Sequence, residues 1–193
     1  MNEYPKELNL IDNTKVTARP IEPGDKEALC KLFSRIPESD LLIYKDDVRR
    51  VENIENWFTG NNYKKVLQLV GLMKNSIVVK GTLHSVGPYW SHAAELKLIV
   101  DPEYRGKGLG SQFFNVLLYE GLKHHFQKII VRYIPDNISF KKILNHYGFK
   151  PETVLRYYAK NESPSITKDL VIASFSLENW ERRFEFYSFI YRR

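Results

Sequence analysis

The sequence predicts a mixed α/β domain of the α+β class, with a central, mostly antiparallel sheet of six to seven strands flanked by helices. Three observations lead there. Apolar residues alternate with a period of two in some segments and recur every three to four residues in others. These segments follow one another as β, α, α, β, β, β, α, β, α, β, β, and strands that are consecutive in sequence pair most simply as antiparallel neighbours. Finally, 193 residues suit a single domain with one sizeable core.

Residues 1–13 read as a loose lead-in, 14–176 as the domain, and 177–193 as an aromatic C-terminal extension, helical through Trp180, Phe184 and Tyr187. A short strand at Val16 to Arg19 ends at Pro20. Pro23-Gly24-Asp25 then opens a helix carrying Leu29, Leu32, Phe33 and Ile36, with Asp25 as its expected N-cap. Val48, Val51, Ile54 and Trp57 predict a second helix from Asp47 to Phe58. The stretch between, Pro37 to Asp46, is half apolar and half acidic, which suits either a cleft border or a plain connection.

Val66 to Leu72 is a continuous apolar run, Lys74-Asn75-Ser76 is turn-like, and Ile77 to Val86 is a further strand broken by Gly87-Pro88. In the next strand Ala94, Leu96, Leu98 and Val100 alternate with Ala93, Glu95, Lys97 and Ile99, placing the two sets on opposite faces. Asp101-Pro102 stops it. A long helix from Leu109 to about His125 carries the stripe Phe113, Phe114, Leu117, Leu118 and Leu122. Lys128 to Ile134 is a β-branched strand. Asn137 to Tyr147 is helical, with Gly148 placed to end it in the left-handed conformation. Val154 to Tyr158 and Leu170 to Ser176 close the sheet, joined by Asn161-Glu162-Ser163-Pro164.

The hydrophobic fraction of 43% and charged fraction of 27% are those of an ordinary globular chain. A net charge of +6 comes from 29 basic residues against 23 acidic ones, spread along the chain. That distribution favours a solvated surface with one local anion site over a nucleic-acid binder. The single cysteine, Cys30, excludes an internal disulfide framework and points to a reducing compartment. With no basic-then-apolar leader and no apolar run near the ~18 residues a membrane span needs, the expected location is the cytoplasm, away from membranes.

The chemistry concentrates in Arg105-Gly106-Lys107-Gly108-Leu109-Gly110, between a strand and a long helix. The glycines let the backbone approach a ligand closely, the helix start supplies unpaired amides and a positive dipole end, and Arg105 and Lys107 add charge. A pyrophosphate fits such a loop. The spacing is not that of Gly-x-x-x-x-Gly-Lys-Ser/Thr, and it departs from the dinucleotide fingerprint Gly-x-Gly-x-x-Gly in its third glycine. Arg/Gln-x-x-Gly-x-Gly/Ala is satisfied by Arg105, Gly108 and Gly110, and this signature resembles the acyl-CoA motif of the GNAT acetyltransferases.

Other segments resemble the same family: Leu98 to Tyr104 its fourth strand and following turn, Asn137 with Gly148-Phe149 eleven residues on its next motif, Lys168-Asp169-Leu170-Val171 its last core strand, and Ala18-Arg19-Pro20-Ile21 its first. The resemblance spans residues 14 to 176 and implies a function: transfer of an acetyl group from acetyl-CoA, or another short acyl-CoA, to a primary amine, without a metal. It further implies that the main chain of Leu98, Ile99 and Val100 bonds the pantetheine arm like an added strand. The amides of Gly106, Lys107, Gly108, Leu109 and Gly110, with the Arg105 and Lys107 side chains, would hold the pyrophosphate. Asn137 would touch the pantetheine or orient the acyl end.

Amide formation needs a neutral amine, and a lysine-like amine with a pKa of about 10.4 is almost wholly protonated at neutral pH, so a base helps. Glu95 is the expected base, with His84 and His92 as lesser candidates. Where many GNAT enzymes carry a tyrosine as general acid, seven residues after the motif Asn, this chain has Leu144, which resembles the ribosomal-protein N-terminal acetyltransferase branch. Tyr157 or Tyr158 could substitute, or solvent could protonate the thiolate. Asp40, Asp46 and Asp47 hint at a cationic acceptor, and the aromatic tail at a homodimer. Two further readings stay open: a non-catalytic acyl-CoA sensor and a nucleic-acid-binding protein.

Overall fold

The structure, a computed structural model, describes residues 4–58, 66–160 and 167–177. Eight strands form one sheet in the order β1-β2-β3-β4-β5-β6-β8-β7. They are β1 (Lys6–Asn9), β2 (Lys15–Pro20), β3 (Val66–Met73), β4 (Ser76–Ser85), β5 (Ala93–Val100), β6 (Lys128–Tyr133), β7 (Lys150–Lys160) and β8 (Thr167–Ser176). The helices are α1 (Lys26–Arg35), α2 (Glu38–Leu41), α3 (Val51–Glu55), α4 (Leu109–Lys123) and α5 (Ile138–Tyr147). All neighbouring strands are antiparallel except β5 and β6, which α4 connects as a parallel pair.

The expected α+β architecture is present, with one strand more than the six to seven predicted. The addition lies in the supposed lead-in: Lys6 to Asn9 pairs with β2 from Lys6↔Ala18 to Asn9↔Lys15. Four residues, of which only Leu8 is apolar, carry too little periodicity to announce a strand, and backbone pairing supplies what the side chains do not. Asp25 stands at the N-cap position of α1, as expected, but its side chain makes no capping bond. Its buried carboxylate instead accepts two hydrogen bonds from Arg19, each 2.7 Å, and one from the Glu22 amide at 2.8 Å. The second helix is shortened to Val51–Glu55, because Asp47 turns the chain by accepting from the Arg49 amide at 3.0 Å. The proposed helix through Trp180, Phe184 and Tyr187 lies outside the described residues.

Period-two alternation divides the sheet's two faces as the sequence implied. One face packs Ala94, Leu96 and Leu98 against Phe113, Phe114 and Leu117 of α4, and the other packs Val70, Ile77 and Ile99 against Leu29, Leu32 and Phe33 of α1. The α4 side is tight at Gly81, where a Cβ would stand 2.5 Å from Leu117 Cδ1 and 2.9 Å from the Phe113 ring. Gly81→Ala should therefore cost about 1–3 kcal/mol by overpacking, read as a lower denaturant midpoint with unchanged slope.

The functional consequence of the fold lies between β5 and β6. Their pairing runs from Ala93↔Lys128 to Leu96↔Val131 and stops, while β5 stays on β4 as far as Val79↔Val100 and β6 stays on β8 through Tyr133↔Val171. The two middle strands thus diverge, and Leu98 to Val100 has no strand partner on its β6 side.

Candidate active site

The glycine loop sits at the mouth of this divergence because Asp101 ends β5 there. The Asp101 carboxylate, 1% exposed, accepts from the Glu103 amide at 3.1 Å and from Arg35 Nε at 2.7 Å, fixing the turn Pro102–Tyr104. Gly106 and Gly108 then take φ of 76° and 84°, the left-handed region that glycine alone enters without cost. Helix α4 begins at Leu109, and among the described residues no acceptor meets the amides of 106–111. A Cβ on Gly106 would meet open space, whereas one on Gly110 would stand 3.2 Å from Ile143 of α5, so the helix and loop close together there.

A cleft of about 570 Å³ opens on this loop, walled by Leu98, Ile99 and Val100, by Arg105, Gly106, Gly108 and Gly110, and by Asn137. Eight of the ten residues expected at the cofactor therefore share one cavity. The other two turn away: Leu109 is fully buried in the core, and the Lys107 side chain leaves the cleft to pair with Asp12 at 3.2 Å. Arg105 lines the cleft, yet its guanidinium donates to the Val100 carbonyl at 3.0 and 3.1 Å and pairs with Asp40 at 2.8 Å. It braces the end of β5 as well as charging the cleft. Asn137 caps α5, accepting from the Phe140 amide at 3.0 Å while lining the cleft.

Among the cleft residues that the sequence did not announce, Lys142, His146 and Ile11 matter most. Lys142 and His146 stand one turn apart on the exposed side of α5 and face the loop, a placement that only tertiary packing creates. Ile11, 79% exposed, lies at the tip of the β1–β2 turn; its amide donates to the Lys107 carbonyl at 3.2 Å, and its side chain rests over Gly108. The turn that follows β1 is thus a wall of the cleft.

Glu95 stands on the α1 face of the sheet, in a second cavity of about 480 Å³ with Lys80, Thr82, His84 and Lys97, whose walls include Tyr44 and Trp57. The Glu95 side chain is 12% exposed, and its Oε1 has no hydrogen-bond partner; Lys97 and Arg132 stand at 3.7 and 3.6 Å, within ion-pair reach but too far to bond. His84 is directly across the strand pair from Glu95. Desolvation by the cavity walls lowers its pKa, Glu95 opposes the shift, and Lys97, Arg132 and Lys45 reinforce it. Its ring keeps an exposed face, which tempers these effects. Burial first, then the Glu95 charge, raises the Tyr44 pKa and keeps the phenol protonated.

A narrow gap lined by Leu98, Ile99, Arg132 and Asn137 shares walls with the cleft at the glycine loop; Ile43 and Arg132 also line a further cavity, which shares Tyr44, Lys45 and Asp46 with the one holding Glu95. Leu144, 2% exposed, is core. Tyr157 is 72% exposed in the β7 bulge, φ 53°, and lines none of these cavities, whereas Tyr158 beside it lines the one containing Arg132. His92 is also outside them. The acidic patch is largely neutralised by the chain itself: Asp40 pairs with Arg105, and Asp47 with Arg49 at 3.1 Å. Among the described residues no cluster of three metal-ligating side chains occurs, and no helix is long and apolar enough to cross a membrane.

A family model described as the acetyltransferase (GNAT) domain matches residues 15–150. Solved structures share the fold. The ribosomal-protein-S5-alanine acetyltransferase of Vibrio fischeri superposes with a TM-score of 0.70 at 20% identity, covering 86% of this chain and 94% of that one. RimJ of Mycobacterium smegmatis, in complex with CoA-disulfide, gives 0.73 at 17% identity over 91% and 90% of the two chains. The yncA protein of Salmonella typhimurium, solved with acetyl-CoA, gives 0.70 at 15% over 84% and 94%.

Proposed function

Because this chain belongs to the GNAT acetyltransferase family, we propose that it transfers an acetyl group from acetyl-CoA to a primary amine by direct attack within a ternary complex. The observation that carries the reading is the divergence of β5 and β6 beside a loop of unpaired amides. The unpartnered edge of Leu98, Ile99 and Val100 suits the amide groups of a pantetheine arm, added as a strand is added to a sheet. The amides of the glycine loop, the α4 dipole, and Lys142 with Arg105 suit the pyrophosphate. Asn137, with its carbonyl oxygen spent on the cap, keeps its NH₂ group for the arm.

The thioester supplies an activated acyl carbon, and the residues of this chain supply the rest. A main-chain N–H near Ile99 polarises the acyl carbonyl. Glu95 receives the proton of the attacking amine, directly or through water; its unbonded Oε1 leaves an acceptor position open. His84, held neutral more readily than a free histidine, is the relay toward solvent. The departing thiolate needs no dedicated acid, since a thiol pKa of about 8.5 lets solvent protonate it; Tyr158 is better placed than Tyr157 to assist.

Initial rates with acetyl-CoA and amine both varied should give intersecting double-reciprocal lines. Parallel lines would indicate a covalent acyl-enzyme and contradict direct attack.

A further inference from the structure

The second cavity contains a charge that acetyl transfer as described does not use. Lys80 is 2% exposed, in the middle of β4, and its ammonium lies over the Trp57 ring at 3.9 Å. Among the described residues no carboxylate pairs with it, and burial and the Lys97 charge are what act on its protonation. Burying this amine without a carboxylate costs stability when it is charged, and among the described residues the Trp57 ring offsets that only in part. Lys97, two residues from Glu95 on the adjacent strand, lies in the same cavity, and Arg132 adjoins it. The acids facing this space are Glu95, already within reach of Lys97 and Arg132, and the exposed Asp46. Lys45, Lys80 and Lys97 therefore face two carboxylates, one of them shared. Thr82 and Gln68 line the same pocket, the Gln68 Nε2 donating to the Trp57 carbonyl at 3.2 Å.

We propose that this cavity binds a carboxylate of the acceptor at Lys80 and Lys97, so that the acceptor is a small amino acid-like amine and not a polyamine or other purely cationic one. The inference rests on the acetyltransferase reading and names its second substrate. A carboxylate seated between Lys80 and Lys97 replaces the missing counter-ion on the face that also carries Glu95, because Lys80, Thr82 and His84 follow one another along one face of β4, and Lys97, opposite Thr82, stands between Lys80 and Glu95 along that face. Burial, and then the Lys97 charge, lower the Lys80 pKa to about 7, so an arriving anion restores a proton that the empty cavity holds weakly. Two of the three acids that would have favoured a cationic acceptor, Asp40 and Asp47, are engaged by Arg105 and Arg49, which leaves Asp46 as the one facing this space.

The test compares amino acids with their decarboxylated partners, phenylalanine with phenethylamine and lysine with cadaverine, by thiol release from acetyl-CoA. The carboxylated member of at least one pair should be preferred about tenfold or more in kcat/KM. In Lys80→Met that preference should collapse while the acetyl-CoA dissociation constant stays unchanged. Lys97→Met gives a second reading should the first variant misfold. Decarboxylated amines used as well as their partners, a preference surviving in both variants, or a peptide amine without an acidic group outpacing every amino acid would each overturn the inference. So would a protein that binds acetyl-CoA yet acetylates no member of the panel. Failure to bind acetyl-CoA is the separate result that would remove the acetyltransferase reading itself.

Discussion

Gly108→Glu is expected to weaken acetyl-CoA binding by about 100-fold or more, measured by titration calorimetry. Two effects add. The backbone at Gly108 has φ 84°, where a side chain strains the loop by about 1 kcal/mol or more. The larger effect is charge: a carboxylate placed among the unpaired amides of 106–111 occupies them and repels a pyrophosphate. Steric conflict with the protein contributes little, since the nearest atoms to a Cβ there are Ile11 carbons at 3.4 Å, an ordinary contact. Gly108→Ala, carrying the strain alone, should lose only about tenfold, and the gap between the two variants isolates the electrostatic part. Equal losses would mean that loop shape, and not anion binding, is what Gly108 provides.

Glu95→Gln should lower kcat by about 100-fold while leaving the acetyl-CoA dissociation constant within a factor of about two. Glutamine keeps the volume and removes the acceptor that takes the amine proton. The change should also alter the pH profile. With the base gone, the rate depends on the small fraction of free amine and should climb about tenfold per pH unit toward the acceptor's own pKa, whereas the parent enzyme flattens earlier. The loss of the Glu95 charge leaves Lys97 and Arg132 facing each other without their shared partner, so the variant should also unfold at a slightly lower temperature. A kcat within threefold of the parent would shift the role to His84, the cross-strand neighbour.

What the sequence disclosed and what it concealed divide along a physical line. The glycine loop, the cap at Asn137, the left-handed Gly148 at φ 84° and the alternation along β5 are local: each is written in the identity of neighbouring residues and needs no partner elsewhere. The features that escaped are products of long-range contact. β1 exists because β2 offers it hydrogen bonds, and the β1–β2 turn becomes a cleft wall only because the glycine loop docks beneath Ile11. Lys107 was expected at the phosphates on grounds of proximity in sequence; Asp12, brought up by the same turn, draws it away, and Lys142 from α5 stands in the cleft instead. The acidic segment around Asp40 looked like free negative surface until the fold set Arg105 against it. Lys80 did leave one trace in the sequence, a lone cation within the otherwise apolar stretch Ile77 to Leu83, but its meaning depends on Trp57 covering it.

Acetyl-CoA is expected to enter the opening between β5 and β6, and the proposed acetyl transfer depends on that. Calorimetric titration of the purified protein with acetyl-CoA, alongside adenosine 3′,5′-bisphosphate and pantetheine as the two halves of the ligand, tests it most directly. Micromolar binding of the whole ligand, with each half far weaker, is the predicted result, since the glycine loop and the free strand edge each hold a different part. Absence of binding by acetyl-CoA, or binding of the nucleotide half alone at the affinity of the whole, would contradict it.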